Sequence, residues 1–237
     1  MKNFDKKRRL IAIDGVAASG KSTTARNLAG ELGNKYLETG AMYRTVALNL
    51  IQNGIGEDDN NAVISSLETA KIRVECNIDR MKIYLGDEEV SKKIRTNEVS
   101  KLTSKISAIP EVRQTMVKLQ REIVKGENFI VEGRDIGTVV FPDADMKFFL
   151  TASTEERANR RFSELKENKN EKSIAEIEKE IEERDLRDST RTTSPLVSAE
   201  DAIKVDTTEM TVDEQVKHLT RLIHMEMRKE SQVYAGE

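Results

Sequence analysis

At 237 residues the chain is long enough to bury one sizeable core carrying inserted lobes. A net charge of −3 gives no bulk attraction to nucleic acid or an anionic membrane, and no apolar stretch reaches membrane-spanning length. The single cysteine, Cys76, excludes an internal disulfide and suits the cytosol, while the absence of tryptophan disfavours a base-stacking surface for single strands.

The polar, basic segment 1–9 has no long apolar run behind it and does not read as a signal peptide. Leu10-Ile11-Ala12-Ile13 reads as a short buried strand, and Ala25, Leu28, Ala29 and Leu32 recur at helical spacing. Between them lies Gly15-Val16-Ala17-Ala18-Ser19-Gly20-Lys21-Ser22. In this pattern backbone N–H groups wrap a polyphosphate, the lysine reaches the outer phosphates and the serine hydroxyl ligates Mg²⁺. The N-terminus of the following helix adds its dipole to the anion site. Strand, loop and helix in this order predict a nucleoside triphosphate site.

Residues 35–37 form a further short strand, and 41–52 a helix with Met42, Val46, Ala47 and Leu50 on one face, Arg44 at its opening and Gly54 beyond its end. From 62 to 95 the pattern changes. Ile72, Val74, Cys76 and Ile78 alternate with polar residues, as do Met81, Ile83 and Leu85, and Gly86-Asp87 makes a turn. This predicts a small antiparallel sheet, half-exposed, with Cys76 in its apolar face rather than acting as a nucleophile. Helices follow at 96–107 and 110–125, the second opened by Pro110 and striped by Val112, Met116, Leu119 and Ile123. The apolar runs at 128–132 and 146–150 read as buried parallel strands.

Ser153 to Glu156 and Ser173 to Glu176 are spaced as capping boxes. The helix after the second carries only Ile174, Ile177 and Ile181 as an apolar stripe, so 155–191 reads as a solvated helical hairpin with the composition of a mobile lid. A last strand falls at 202–205. Thr211 to Glu214 caps a final helix bearing Val216, Leu219 and Ile223, with a tail frayed from Ser231. His218 and His224 lie on that helix without partners at metal-binding spacing. Strands alternating with helices predict an α/β fold, a parallel sheet with two excursions.

The loop alone does not separate GTPases, motor ATPases and small-molecule kinases. An Asn-Lys-x-Asp guanine-reading motif is absent, and so is an apolar run ending in paired acids. Arginines instead recur where the fold brings chain ends together: Arg44, Arg113 and Arg134, then Arg157, Arg160 and Arg161, then Arg184, Arg187 and Arg191. Such a set suits phosphoryl transfer, where positioning and charge neutralisation supply most of the catalysis. Gly133-Arg134-Asp135-Ile136-Gly137-Thr138 follows a strand end, where open α/β sheets bind ligands. There Arg134 is placed to hold a phosphate and Asp135 a polar base edge. Asp143 reads as an ordinary turn residue.

These segments, with Tyr36-Leu37-Glu38-Thr39-Gly40-Ala41-Met42-Tyr43-Arg44, Arg184-Asp185-Leu186-Arg187-Asp188-Ser189, Ser194-Pro195-Leu196 and Asp206-Thr207-Thr208, resemble the bacterial cytidylate kinases nearly end to end. The resemblance implies a P-loop kinase core at about 8–44, 126–154 and 196–230. It also implies an inserted CMP-binding lobe at about 45–125 and a helical lid at about 155–195. ATP would lie on Gly15, Val16, Ala17, Ala18, Ser19, Gly20, Lys21, Ser22 and Thr23, with Mg²⁺ arriving on the nucleotide at Ser22. Ser104, Arg113 and Asp135 would face the cytosine of CMP or dCMP, and Arg184 and Asp188 the ribose. Arg44, Arg134 and Arg191 would clamp the acceptor phosphate with Thr39 nearby, while Arg157 and Arg161 close on ATP. Lys21, Arg134, Arg157, Arg161 and Arg191 would carry the chemistry. Val16 stands where the family usually has proline, at a cost in loop rigidity. Glu38 stands where it usually has aspartate, with its charge moved outward and its role open. A cytoplasmic monomer without nucleic-acid or membrane partners is the expectation. A kinase for UMP or another phosphorylated acceptor, and a nucleotide sensor without an acceptor, stay as alternatives.

Overall fold

In the computed structural model, which describes residues 9–78, 80–167 and 172–235, β1 (Leu10–Gly15) is buried along its whole length. The basic segment 1–8 and the 168–171 stretch of the expected hairpin lie outside the described residues. β1 opens into the phosphate-loop sequence, and α1 (Lys21–Leu32) closes it. β2 (Lys35–Glu38) runs directly into α2 (Thr39–Gln52), two residues earlier than expected. Arg44 therefore lies in the second turn of α2 rather than opening it. Next comes α3 (Asn60–Thr69), capped by Asp59, whose carboxylate accepts the Ala62 N–H at 3.0 Å. This helix corrects the reading of 62–95 as sheet alone; the alternation begins only at β3 (Ile72–Cys76).

β3 pairs antiparallel with β4 (Met81–Leu85), and β4 with the two-residue β5 (Glu88–Glu89). Gly86 turns the hairpin at φ 59°, in the left-handed region that favours glycine. Ile78, expected on the apolar face, lies past the strand end and is exposed. Cys76 is half-buried, and desolvation pushes its thiol up to about 12, which suits packing rather than nucleophilic work. A short 3₁₀ turn (Lys93–Arg95) leads to α4 (Asn97–Ile106) and α5 (Pro110–Ile123). The buried face of α5 carries Val112 and Met116, as expected, but also Arg113 and Gln120.

β6 (Phe129–Gly133), one π turn (Ile136–Val140) and β7 (Met146–Thr151) return the chain to the centre. α6 (Thr154–Glu167) and α7 (Ile174–Thr190) pack as a hairpin, followed by β8 (Ile203–Asp206) and α8 (Val212–Ala235). α8 continues through Ala235, past the Ser231 at which fraying is expected. Ser173–Glu176 and Thr211–Glu214 form full capping boxes. At Ser153 only half of one forms: Glu156 turns to Arg160, and the Ser153 N–H goes to Thr208.

The main sheet is parallel throughout, in the order β2-β6-β1-β7-β8. Both faces of its central strands β6, β1 and β7 are covered, which is why these read as apolar runs, whereas the edge strand β8 is mostly exposed. On one face α1 and α8 press Leu28, Leu219 and Ile223 against Ile11, Ile13 and Phe148. On the other, α2, α5 and the small sheet bring Val46, Leu50, Met116 and Ile83 onto Leu37, Phe129 and Val131. Among the described residues the hairpin has a small core of its own, Ala158, Ile177 and Ile181, with Ala18 and Phe162 against it. Strand order sets the C-terminal ends of β1 and β6 side by side, Asp14 opposite Gly133. Among the described residues no helix is long and apolar enough to cross a membrane.

Candidate active site

The loop between β1 and α1 is shaped by close approach. A Cβ on Gly15 would come within 2.2 Å of the Leu150 carbonyl oxygen, so only glycine fits beside β7. Ala18 (φ 57°) and Gly20 (φ 84°) are both left-handed, and such backbone turns N–H groups inward as an anion cradle. Ser19 is fully buried, and Thr207 Oγ1 lies 3.1 Å from its carbonyl oxygen, tying the loop to the end of β8. Lys21 is buried and donates to the Val16 carbonyl at 3.1 Å. Desolvation lowers its pKa to about 7, and Arg134 adds to the shift while Glu132 opposes it.

Glu132, at the end of β6, accepts a hydrogen bond from Ser22 Oγ at 2.9 Å; burial raises its pKa, against the pull of Lys21. From the sequence Glu132 reads only as a strand residue, because a single acid in an apolar run carries no motif. Among the described residues no group of three acids, histidines or cysteines could hold a metal alone. The hydroxyl–carboxylate pair of Ser22 and Glu132 suits a cation delivered on a nucleotide.

A second set of groups converges beside the loop. Arg113 and Asp135, both buried, are paired with each other, and Arg113 also donates to the Ser107 carbonyl at 3.2 Å. Arg134 Nε donates to Asp188 at 3.0 Å, and Arg184 Nε stands 3.9 Å from the same carboxylate. Desolvation and then Arg134 lower the Arg184 pKa to about 10; Arg44 and Arg161 contribute as well. Arg191 NH2 lies 4.0 Å from Asp135. Arg44 Nε, Ser104 Oγ, Arg113 Nε, Arg184 Nε and Arg191 NH2 are sealed from solvent with no hydrogen-bond partner in the structure. Orphaned buried donors are costly unless something fills them. The five named here belong to residues that the resemblance assigns to one acceptor, while Ser19, Tyr43, Gln120, Thr138 and Thr220 also carry sealed polar atoms without a partner. Thr39 Oγ1 donates to the Glu132 carbonyl at 2.9 Å. A Cβ on Gly133 would come within 2.6 Å of Thr39 Oγ1 and of Ile136 Cδ1, so a larger residue there would displace both side chains.

Two carboxylates absent from the predicted set organise this cleft. Asp14 accepts the N–H groups of Ile136 and Gly137, each at 2.8 Å, and so fixes the turn after Arg134 and Asp135. Burial raises its pKa to about 6 despite those two bonds. Glu38 is buried rather than turned outward, and is held by Arg44 and by Arg95. Burial alone would raise its pKa, but Arg44 and then Arg95 outweigh it and hold it at about 2. Tyr43 and the fully buried Gln120 complete the wall behind Arg113.

From the hairpin, Arg157 donates to the Ala17 carbonyl at 3.2 Å and pairs with Asp185, which in turn accepts the Ala17 N–H at 3.2 Å. Arg160 reaches Thr207 and the carbonyls beyond it and anchors α6 to β8. Arg161 pairs with Glu164 at 2.9 Å, and Arg187 stays exposed, donating to the Glu183 carbonyl within its own helix.

The cytidylate kinase family model matches residues 11–225. A cytidylate kinase of Carboxydothermus hydrogenoformans is 47% identical over 213 residues, covering 90% of this chain and 96% of that protein. One from Caldanaerobacter subterraneus subsp. tengcongensis is 46% identical over 220 residues, covering 93% and 96%. One from Fusobacterium nucleatum subsp. nucleatum is 44% identical over 214 residues, covering 90% and 96%. The chain belongs to the cytidylate kinase family.

Proposed function

We propose that the protein transfers the γ-phosphoryl group of ATP to the phosphate of CMP or dCMP. The observation that carries this reading is the set of sealed, unpartnered donors on Arg44, Ser104, Arg113, Arg184 and Arg191, next to a phosphate loop. A nucleotide switch has no use for a second phosphate clamp.

In this reading the triphosphate lies on the amides of residues 15–23, and Lys21 leaves the Val16 carbonyl for the transferring oxygens. Ser22, with Glu132 behind it, would hold Mg²⁺, which supplies charge neutralisation on the phosphates. Arg44, Arg134 and Arg191 hold the acceptor phosphate, Thr39 lies beside them, and Arg184 and Asp188 take the sugar. Arg113 hydrogen-bonds one oxygen of Asp135 and the other faces Arg191 NH2 at 4.0 Å; in this reading that second oxygen and Arg113 Nε would meet the base. That acceptor and donor suit the exocyclic amine and ring nitrogen of cytosine, and Ser104 adapts to either. No dedicated base is required: the second pKa of a phosphate monoester is about 6, so the attacking oxygen is already largely ionised at neutral pH. Residues 155–195 act as a lid, with Arg157 and Arg161 closing over ATP and excluding water.

The test is ADP release with ATP alone and with ATP plus each of CMP, dCMP, UMP, AMP and GMP. Strong stimulation by CMP and dCMP, weaker by UMP, is expected. Release that ignores every monophosphate would make the protein a sensor. Equal rates with CMP, UMP and AMP would leave a generic monophosphate kinase.

A further inference from the structure

The bond network of Glu38 gives Arg95, a half-exposed arginine outside the predicted acceptor site, a specific task. Arg95 grips the buried carboxylate with both terminal nitrogens, NH1 to Oε1 at 2.8 Å and NH2 to Oε2 at 2.6 Å. The same Oε1 also takes NH2 of Arg44, while Arg44 Nε is sealed and unpartnered. Arg44 lies back over Gly40, where a Cβ would make a tight 3.3 Å contact with its NH1. Two guanidinium groups thus share one carboxylate, and the trio is a net cation whose Arg44 interacts with Arg184. Glu132 and the phenol of Tyr36 also interact with Glu38.

An arginine that must move to an incoming phosphate is a poor tool if it is also the sole counter-ion of a buried carboxylate. Its departure would leave that carboxylate uncompensated. We propose that Arg95 is a positioning residue: it satisfies Glu38 by itself and so frees Arg44 to engage the phosphate of a nucleoside monophosphate. This inference rests on the acceptor-phosphate reading above. Arg95 comes from the turn before α4 and Arg44 from α2, so the device links the inserted segment to the sheet edge. Without Arg95, Glu38 would draw Arg44 wholly to itself, and phosphate affinity would fall whatever the base.

The experiment uses Arg95→Gln, Arg95→Lys and the double variant Glu38→Gln/Arg95→Gln in the full chain. Each is checked for a cooperative melt. For Arg95→Gln, KM for CMP and for UMP should rise by the same factor, about tenfold for a weakened charge-assisted contact, with kcat within about twofold. Inhibition by cytidine, which has no phosphate, should not change. Arg95→Lys should recover most of the affinity, because the charge stays. The double variant should bind CMP better than Arg95→Gln alone, since a neutral amide no longer competes for Arg44. An unchanged KM in Arg95→Gln overturns the proposal, as does cytidine inhibition weakening in step with KM. A double variant that folds and is no better than the single one, or a lysine variant as poor as glutamine, also overturns it. Wild-type protein without CMP-dependent ADP release would instead strike the function itself.

Discussion

The two halves of the site are built in opposite ways. In the proposed reading the donor half is one unbroken run, residues 15–23, which would bind mostly through backbone amides in a loop where Ala18 and Gly20 are left-handed. The proposed acceptor half is gathered from α2, α4, α5, the end of β6 and α7, and would bind mostly through charged side chains. Backbone amides need only the right local dihedrals. Guanidinium groups repel one another, so the acceptor half holds together through carboxylates spaced among them: Asp135 with Arg113, Asp188 with Arg134, and Glu38 with Arg44 and Arg95. A contiguous loop tolerates loss of its charged member structurally; a gathered cluster does not.

The largest expected effect separates the halves directly. Lys21→Met should cut turnover by at least about two orders of magnitude, since single cationic contributions in phosphoryl transfer reach roughly 10³–10⁵. Its melting temperature should stay near wild type, because burial already opposes this charge. Near-normal turnover would remove the phosphate-loop assignment.

In the acceptor half the same kind of change should cost stability as well. Asp135→Ala strands Arg113 in the core and should destabilise by about 3–5 kcal/mol. It should also lower the CMP-to-UMP ratio in kcat/KM more than it lowers ATP affinity; sites built on polar pairing discriminate by up to about 10⁴–10⁵. Asp188→Ala should weaken all acceptors and leave that ratio alone. Equal stability of Asp135→Ala and Lys21→Met would erase the contrast between the halves.

Asp14 joins the halves, and pH should reveal it. Its folded pKa of about 6 lies above the usual 3.8. It therefore contributes stability fully below pH 3.8, lost as pH rises through 6, about 3 kcal/mol in all. Glu38 runs the other way: held at about 2 against 4.5, it stabilises above pH 4.5 and loses this as pH falls through 2. Asp14→Asn mimics the protonated acid, so relative to wild type it should fare better at pH 7 than at pH 4. Melts at the two values decide it; a difference that does not move with pH would refute the raised pKa.

The smallest expected effect is one of protection rather than rate. The hairpin, with its few buried apolar residues, should exchange amide hydrogens readily when free and be strongly protected by an analogue joining both nucleotides. Unchanged exchange would make α6 and α7 a fixed part of the fold rather than a lid.

What the sequence by itself determined is whatever a local pattern can encode. The phosphate loop is legible because glycines, lysine and serine must fall at fixed spacing along one run. The buried strands and two of the capping boxes are legible because apolar runs and Ser/Thr-x-x-Glu act within a few residues. α3 escaped because its apolar positions are few and its cap is a lone aspartate. Only the tertiary structure decided which charges meet. Nothing along the chain distinguishes Arg95 or Glu132 from the many solvated charges around them, or Gln120 from an exposed helix residue. Their roles arise because strand order sets β1 beside β6, and α2 and α5 close over the far face. Removing side chains from water makes each charge depend on a partner distant in sequence, as Asp14 depends on the amides of Ile136 and Gly137.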